Sequence, residues 1–305
     1  LRFQVGVVYT FAGLAKATSD WLLHAQPLNI WLAARTDLPW LGLLFSQPWS
    51  AALMSWGGFL FDTTIVWWLL WPRTRPFAYA LVIVFHALTR ILFPIGMFPV
   101  IMVLGALVFF PPDWPRRLFA HVAQRNRRPV TSEAGLDAGV LARPPRVSPL
   151  VLWSAAAYCA LQLLVPLRFL AYGGDVLWHE QGMRFSWRVM VREKNGSVTF
   201  RVRSKRNGHE WEVNPRRWLT QQQDGEMAGQ PDLILQFAHF LRDDFAARGL
   251  GPVEVRVDAR VSLNGRPGAP LIDPSVDLAS VHDGVAKARW ILAAPPVPPP
   301  SVRPI

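Results

Sequence analysis

The sequence predicts an α-helical polytopic membrane domain followed by an α+β extracytoplasmic domain. Three observations carry this. Of 305 residues, 51% are hydrophobic and only 17% charged, a balance that a water-facing chain of this size rarely carries. The charge is also uneven. Residues 1–170 hold 14 Lys/Arg and 6 Asp/Glu, whereas residues 171–305 hold 18 and 15, mixed along the chain. Finally, long apolar runs in the first part give way to strand-like alternation and one amphipathic helix in the second. The expected domains are a transmembrane helical domain over 1–170, an extracytoplasmic α+β domain over 171–293 and a disordered Pro-rich tail over 294–305.

Five apolar segments enter or cross a bilayer in this reading, at about 3–18, 51–71, 76–93, 97–111 and 149–170. A span takes roughly 20 apolar residues, with a range of roughly 17–25. The second and fifth meet this; the third and fourth are shorter and joined by Pro94-Ile95-Gly96. Orientation follows from the loops. Arg73 and Arg75 lie between the second and third segments. Seven arginines from Arg116 to Arg146 lie in the loop 112–148, against three acids. Both loops are expected on the cytoplasmic side, and the two segments between them make that consistent. The fifth segment then carries the chain outward. Residues 19–50, with their tryptophans, prolines and short apolar runs, are expected as short interfacial helices on the same outer side. Lys16 falls near the outer end of its helix. The chain opens at Leu1 within an apolar segment and without a signal peptide, and is read as N-terminally truncated.

The second half reads as α+β. FSWRVMVR (185–192) and SVTFRVRS (197–204) flank Lys194-Asn195-Gly196, a hairpin signal. EWEVN (210–214) follows a second turn at Arg206-Asn207-Gly208. Residues 231–249 form an amphipathic helix with Pro231 at its start and Gly249 at its end. VEVRVDARVSL (253–263) alternates and runs into a turn at Asn264-Gly265.

A net charge of +11 raises nucleic-acid binding. That is rejected, because much of the excess sits in loops beside apolar spans. A single cysteine, Cys159, builds neither a disulfide framework nor a metal cluster, and no metal is expected. Chemistry is sought instead among ionisable groups at membrane depth, where a charge costs at least roughly 2.5–3.5 kcal/mol and so faces protein or water. Asp62, His86 and Arg90 qualify. The competing structural reading pairs Asp62 with Arg90 and gives His86 a backbone carbonyl. Lys16, alone among small apolar residues, is either a lysine that snorkels to headgroups or a base in an apolar pocket. His179 and Glu180 form a surface pair or line a substrate entrance.

Several strings, in this order, resemble one family. They are AGLAKATSDW (12–21), GGFLFDTT (57–64), FHALTRILFPIGMFP (85–99), PDWPRR (112–117), FSWRVMVREKNGSVTFRV (185–202), WEVNPRRWLTQQQ (211–223) and VRVDARVSLNGRPGAPLIDPSVDL (255–278). Together they are similar to the vitamin K-dependent gamma-glutamyl carboxylases, in particular bacterial members with an HTTM-type membrane domain. The resemblance implies a carboxy-lyase of the bacterial inner membrane with its C-terminal domain periplasmic. It implies vitamin K hydroquinone or menaquinol, O2 and CO2 as reagents and a Glu-containing peptide as partner. Quinol oxygenation then supplies the strong base that removes a γ-proton from glutamate before CO2 adds. The AG-x-x-K string implies that Lys16 is the initiating base, with Gly13, Ala15 and Ala17 leaving room for a flat ring. The FH-x-x-N string implies a catalytic His86, and Thr89 stands where that string carries Asn. Asp62, Thr89, Arg90, Phe93, Met97 and Phe98 are quinone-pocket candidates. The alternatives are a quinol epoxidase alone and a non-catalytic quinone- or lipid-binding membrane protein. Because the family's earlier helices are absent, this fragment is expected to be inactive by itself.

Overall fold

The computed structural model describes residues 1–116 and 148–301. Most of the arginine-rich loop 112–148 and the last four residues of the tail lie outside the described residues. The first part is helical throughout: α1 (Arg2–Lys16), α2 (Ser19–Leu22), α3 (Leu28–Ala33), α4 (Leu41–Phe45), α5 (Pro48–Leu70), α6 (Arg75–Leu92) and α7 (Phe98–Ala106). After the undescribed loop follow α8 (Pro149–Leu164), α9 (Val176–His179), β1 (Lys194–Ser204), β2 (Glu210–Val213), α10 (Gln221–Ala228), α11 (Pro231–Ala247), β3 (Val253–Leu263) and β4 (Ala269–Pro270). Packing groups the chain into two units, Leu1–Thr10 with Thr64–Leu163, and Phe11–Thr63 with Leu164–Ile305.

Among the described residues, three helices are long and apolar enough to cross a bilayer: Pro48–Leu70, Arg75–Leu92 and Pro149–Ala171. The first and fourth expected spans fall short of this. The 15 residues of α1 rise only about 22 Å, against a hydrocarbon core of about 30 Å. It stops at Lys16 because Thr18 caps α2, its hydroxyl accepting from the Trp21 N–H. The apolar run of the fourth segment is helical only over Phe98–Phe109, with Pro99 in its first turn. Within the first unit, α6 buries a stripe of Ala78, Val82 and His86 at helical spacing and leaves Phe77, Leu81, Leu88 and Ile91 outward. No residue of α8 is buried. Apolar faces this bare fit lipid, not water.

In the second unit the strands form an antiparallel sheet in the order β2-β1-β3-β4. Alternation sends Phe200, Val202, Val253, Val255, Val257 and Val261 to one face. There they meet Ile234, Leu235, Phe237, Ala238 and Leu241 of α11 in one core. The turns at 206–208 and 264–265 occur as expected, with Gly208, Asn264 and Gly265 at positive φ. The hairpin at Lys194-Asn195-Gly196 does not. Those residues are the first three of β1, which pairs with β3 along its whole length from Lys194↔Leu263 to Ser204↔Val253. Gly196 serves close approach instead of a turn, since a Cβ there would lie 2.8 Å from the Arg260 carbonyl oxygen and 2.9 Å from Val261 Cγ2. Nor is FSWRVMVR a strand, because Phe185, Trp187 and Met190 all take positive φ, which breaks the pleat. The tail also departs from expectation over its described part. The Val297 carbonyl accepts from Arg266 Nε at 2.7 Å and the Pro300 carbonyl from Gln26 Nε2 at 2.9 Å, so residues 294–301 are tied down.

Residues 19–50 do form short helices, and they are built into the second unit. Trp31 Nε1 donates to Glu193 Oε2 at 2.5 Å, and Ala15, one residue before Lys16, belongs to the sheet's hydrophobic core. The helix end that carries Lys16 is thereby anchored on the α+β fold.

Candidate active site

The second unit holds Lys16 against Asp62. Lys16 Nζ donates to Asp62 Oδ2 at 2.7 Å and to the Ala12 carbonyl at 3.2 Å, and it lies 5.3 Å from the centre of the Trp21 ring. Both side chains of the pair are only 7% exposed. This excludes snorkelling: the ammonium points inward at a carboxylate. Trp21 is fixed by its Nε1–H to the Ser55 carbonyl at 2.7 Å, and the Ser55 hydroxyl donates back to the Trp21 carbonyl. Gly13 lets α5 come this close. A Cβ at that position would meet Thr63 Cγ2 at 2.6 Å and Thr63 N at 3.0 Å. The room expected beside Gly13 for a flat ring is therefore filled by α5, and Ala15 is likewise taken up by the core.

The first unit holds His86 against Tyr9. Tyr9 Oη and His86 Nε2 are 2.9 Å apart, and both side chains are buried. Phe85 and Phe98 present ring edges to His86, at centroid distances of 5.3 and 6.5 Å. Sequence reasoning missed Tyr9. A lone buried tyrosine carries no sequence signature, so nothing in the sequence marked it. Trp21 and Ser55 were missed as well.

The remaining candidates divide. Phe93 is buried at the end of α6, and Phe98 packs on His86. Met97 is 61% exposed. The Thr89 hydroxyl donates to the His86 carbonyl at 3.0 Å, which spends it on its own helix. Arg90 donates to the Gly96 carbonyl at 2.7 Å. With Lys16 on Asp62 and Gly96 on Arg90, each member of the Asp62–Arg90 pair considered from sequence is satisfied within its own unit.

His179 and Glu180 are not a surface pair. Glu180 accepts from both Arg192 and the buried Lys194, while His179 Nδ1 accepts from the Gln181 N–H at 3.0 Å. Both line a cavity of about 450 Å³, with Tyr172, Arg184 and Trp290.

Two family models match the chain. One is the HTTM domain, over residues 1–114; the other is the vitamin K-dependent gamma-carboxylase lumenal domain, over residues 147–296. No solved structure matches it.

Proposed function

Because the chain belongs to the vitamin K-dependent gamma-carboxylase family, we propose that it is an integral-membrane gamma-glutamyl carboxylase, coupling quinol epoxidation by O2 to carboxylation of a peptide glutamate. The observation that carries this is the buried Lys16–Asp62 pair within the AGLAKATSDW string. Vitamin K hydroquinone or menaquinol supplies, when bound, the oxidisable ring whose reaction with O2 yields the base for the γ-proton. The Lys16–Asp62 pair suits such a molecule, since it offers a buried amine for a phenolic proton.

Lys16 acts as a base only as a neutral amine. A proton shift along its 2.7 Å bond to Asp62 gives that amine beside a carboxylic acid. Neither form of the pair carries net charge, so the shift brings no uncompensated charge into the apolar interior. Asp62 is then the proton store for Lys16, and Trp21 and Gly13 hold the two helices at bonding distance. Tyr9 holds the His86 ring through Nε2 at 2.9 Å, which fixes the orientation of the imidazole. Burial keeps water from quenching the bases. The α+β domain is assigned to the periplasmic side of a bacterial inner membrane.

A second reading, epoxidase alone, draws on Thr89, whose hydroxyl is spent on the His86 carbonyl where the family string carries an amide. Both are tested on the protein in membranes, with quinol, O2, labelled bicarbonate and a Glu-rich peptide. The expected result is quinone epoxide and labelled peptide together, both lost in Lys16→Ala. Epoxide without labelled peptide favours the second reading, and Thr89→Asn is then expected to raise the peptide label. Neither product from folded protein rejects both.

A further inference from the structure

Consecutive residues of the single-turn helix α2 bind in two directions, both within the second unit. Asp20 faces the β3–β4 turn. Arg266 donates to its two carboxylate oxygens through Nη1 at 2.6 Å and Nη2 at 2.7 Å, and Asn264 Nδ2 donates at 2.8 Å. These partners are themselves fixed. Arg266 also donates to the Val297 and Leu263 carbonyls, and Asn264 exchanges hydrogen bonds with the Glu193 backbone. Trp21, the next residue, faces α5 through Ser55 and covers Lys16 with its ring. Ser55 and Asp62 lie seven residues apart on α5, so one helix face receives both Trp21 and Lys16.

We infer that Asp20 is a positioning residue, which locks α2 to the β3–β4 turn and so holds Trp21 and Lys16 in register with Asp62. A four-residue helix has no internal ladder to keep its own geometry. Its registration must come from side chains, and the forked guanidinium–carboxylate pair is the most directional of those available. Asp20 is buried at 8% exposure, and its 11% exposed side chain meets an Arg266 side chain 12% exposed, so solvent weakens the fork little. The importance of this for catalysis rests on Lys16 being the base; the mechanical link does not.

The test uses the full chain in lipid nanodiscs with Asp20→Asn, which is isosteric, and Arg266→Lys, which keeps charge but loses the fork. The first readout is acylation of each lysine by a small amine-reactive reagent, read by mass spectrometry. Lys205, whose side chain is 48% exposed, is the internal standard and the buried Lys194 the control. Acylation of Lys16 is expected to rise about tenfold or more in Asp20→Asn, with Lys194 unchanged and Arg266→Lys intermediate. In the second readout, kcat for quinol oxygenation falls about 10²-fold while the peptide KM holds at its wild-type value. Unchanged acylation and kcat in both variants overturn the inference. So does equal gain of acylation at Lys16 and Lys194, which marks general loosening. If wild type has no oxygenase activity yet Lys16 acylation responds as expected, the positioning stands and the reading of Lys16 as a base falls.

Discussion

Lys16 and Lys194 are held by nearly the same set of partners. Each ammonium donates to one carboxylate, Asp62 at 2.7 Å and Glu180 at 2.9 Å. Each donates to one backbone carbonyl, of Ala12 at 3.2 Å and of Trp178 at 2.6 Å. Each lies near an indole ring, at 5.3 Å from Trp21 and 5.8 Å from Trp178. The difference is in the carboxylate's company. Glu180 also takes Arg192, whereas Asp62 has Lys16 alone among the described residues. A proton moved from Lys194 to Glu180 would strand the Arg192 guanidinium beside a neutral acid. The same move from Lys16 to Asp62 leaves nothing unpaired. Burial and pairing are therefore common to both lysines, and what sets Lys16 apart is a pair that is neutral in both proton positions.

Removing each lysine in turn separates the two sites most strongly. Lys16→Ala is expected to lower quinol oxygenation by about 10²–10⁴-fold per folded molecule, the range for a lost general base. Lys194→Ala is expected to leave kcat intact. An equal kcat loss from both would mean that the two sites are not distinguished as argued. Lys16→Ala also leaves Asp62 buried without its cation, a cost of about 3–5 kcal/mol. Adding Asp62→Asn should recover most of that in a thermal melt in detergent, and recover none of the activity. Recovery of both would make the pair structural.

Much of this was legible in the sequence, unevenly. Helix α11 declared itself through Pro231, Gly249 and its apolar stripe, and β3 through strict alternation, because in both the buried face is set by one local period. The segment 185–192 alternates as well, yet positive φ at Phe185, Trp187 and Met190 keeps it out of the sheet, and alternation carries no information about φ. Gly196 looked like a turn residue, while its reason is the Arg260 backbone, contributed from 64 residues further along. At the site, Asp62 and His86 were found from the cost of charge at membrane depth, and Lys16 from its isolation among small apolar residues and from the AG-x-x-K string. Their partners were not: the sequence offered Asp62 only Arg90, and Tyr9 was hidden because a lone buried tyrosine has no signature.

The Lys16 site also leans on the Asp20–Arg266 pair, which Lys194 lacks. Asp20→Asn is expected to cost about 1.5–3 kcal/mol near neutral pH, the range for hydrogen bonds to a charged group. Burial pushes the Asp20 carboxyl up, but the hydrogen bonds from Arg266 and Asn264, with the Arg266 charge, outweigh it and hold it below the ordinary carboxylate range. The sign follows. A depressed folded value contributes stability above the unfolded value and loses it as pH falls through the folded one. Melting curves of wild type and Asp20→Asn should therefore converge in acid. A gap that stayed constant on acidification would locate the effect in packing instead of charge.

The smallest expected effect is at Lys194, and it has the opposite pH logic. Lys194→Met replaces a buried ammonium by an apolar chain of similar length and leaves Glu180 paired with Arg192. Such replacements are near neutral, so the change at neutral pH is expected to stay within about 1 kcal/mol. Burial lowers the proton affinity of Lys194, and Glu180 opposes that only in part, so its folded value lies below the ordinary lysine range. Below that window both folded and unfolded chains hold the proton, and the cost of burying the ammonium is present in full. Through the window the unfolded chain binds more protons than the folded one, so wild-type stability gains from Lys194 as pH rises toward the ordinary lysine value. Lys194→Met lacks this gain. Denaturant midpoints at neutral and alkaline pH should show the wild type improving relative to the variant. A relative decline would mean that Glu180 and Trp178 hold the Lys194 proton more tightly than water does.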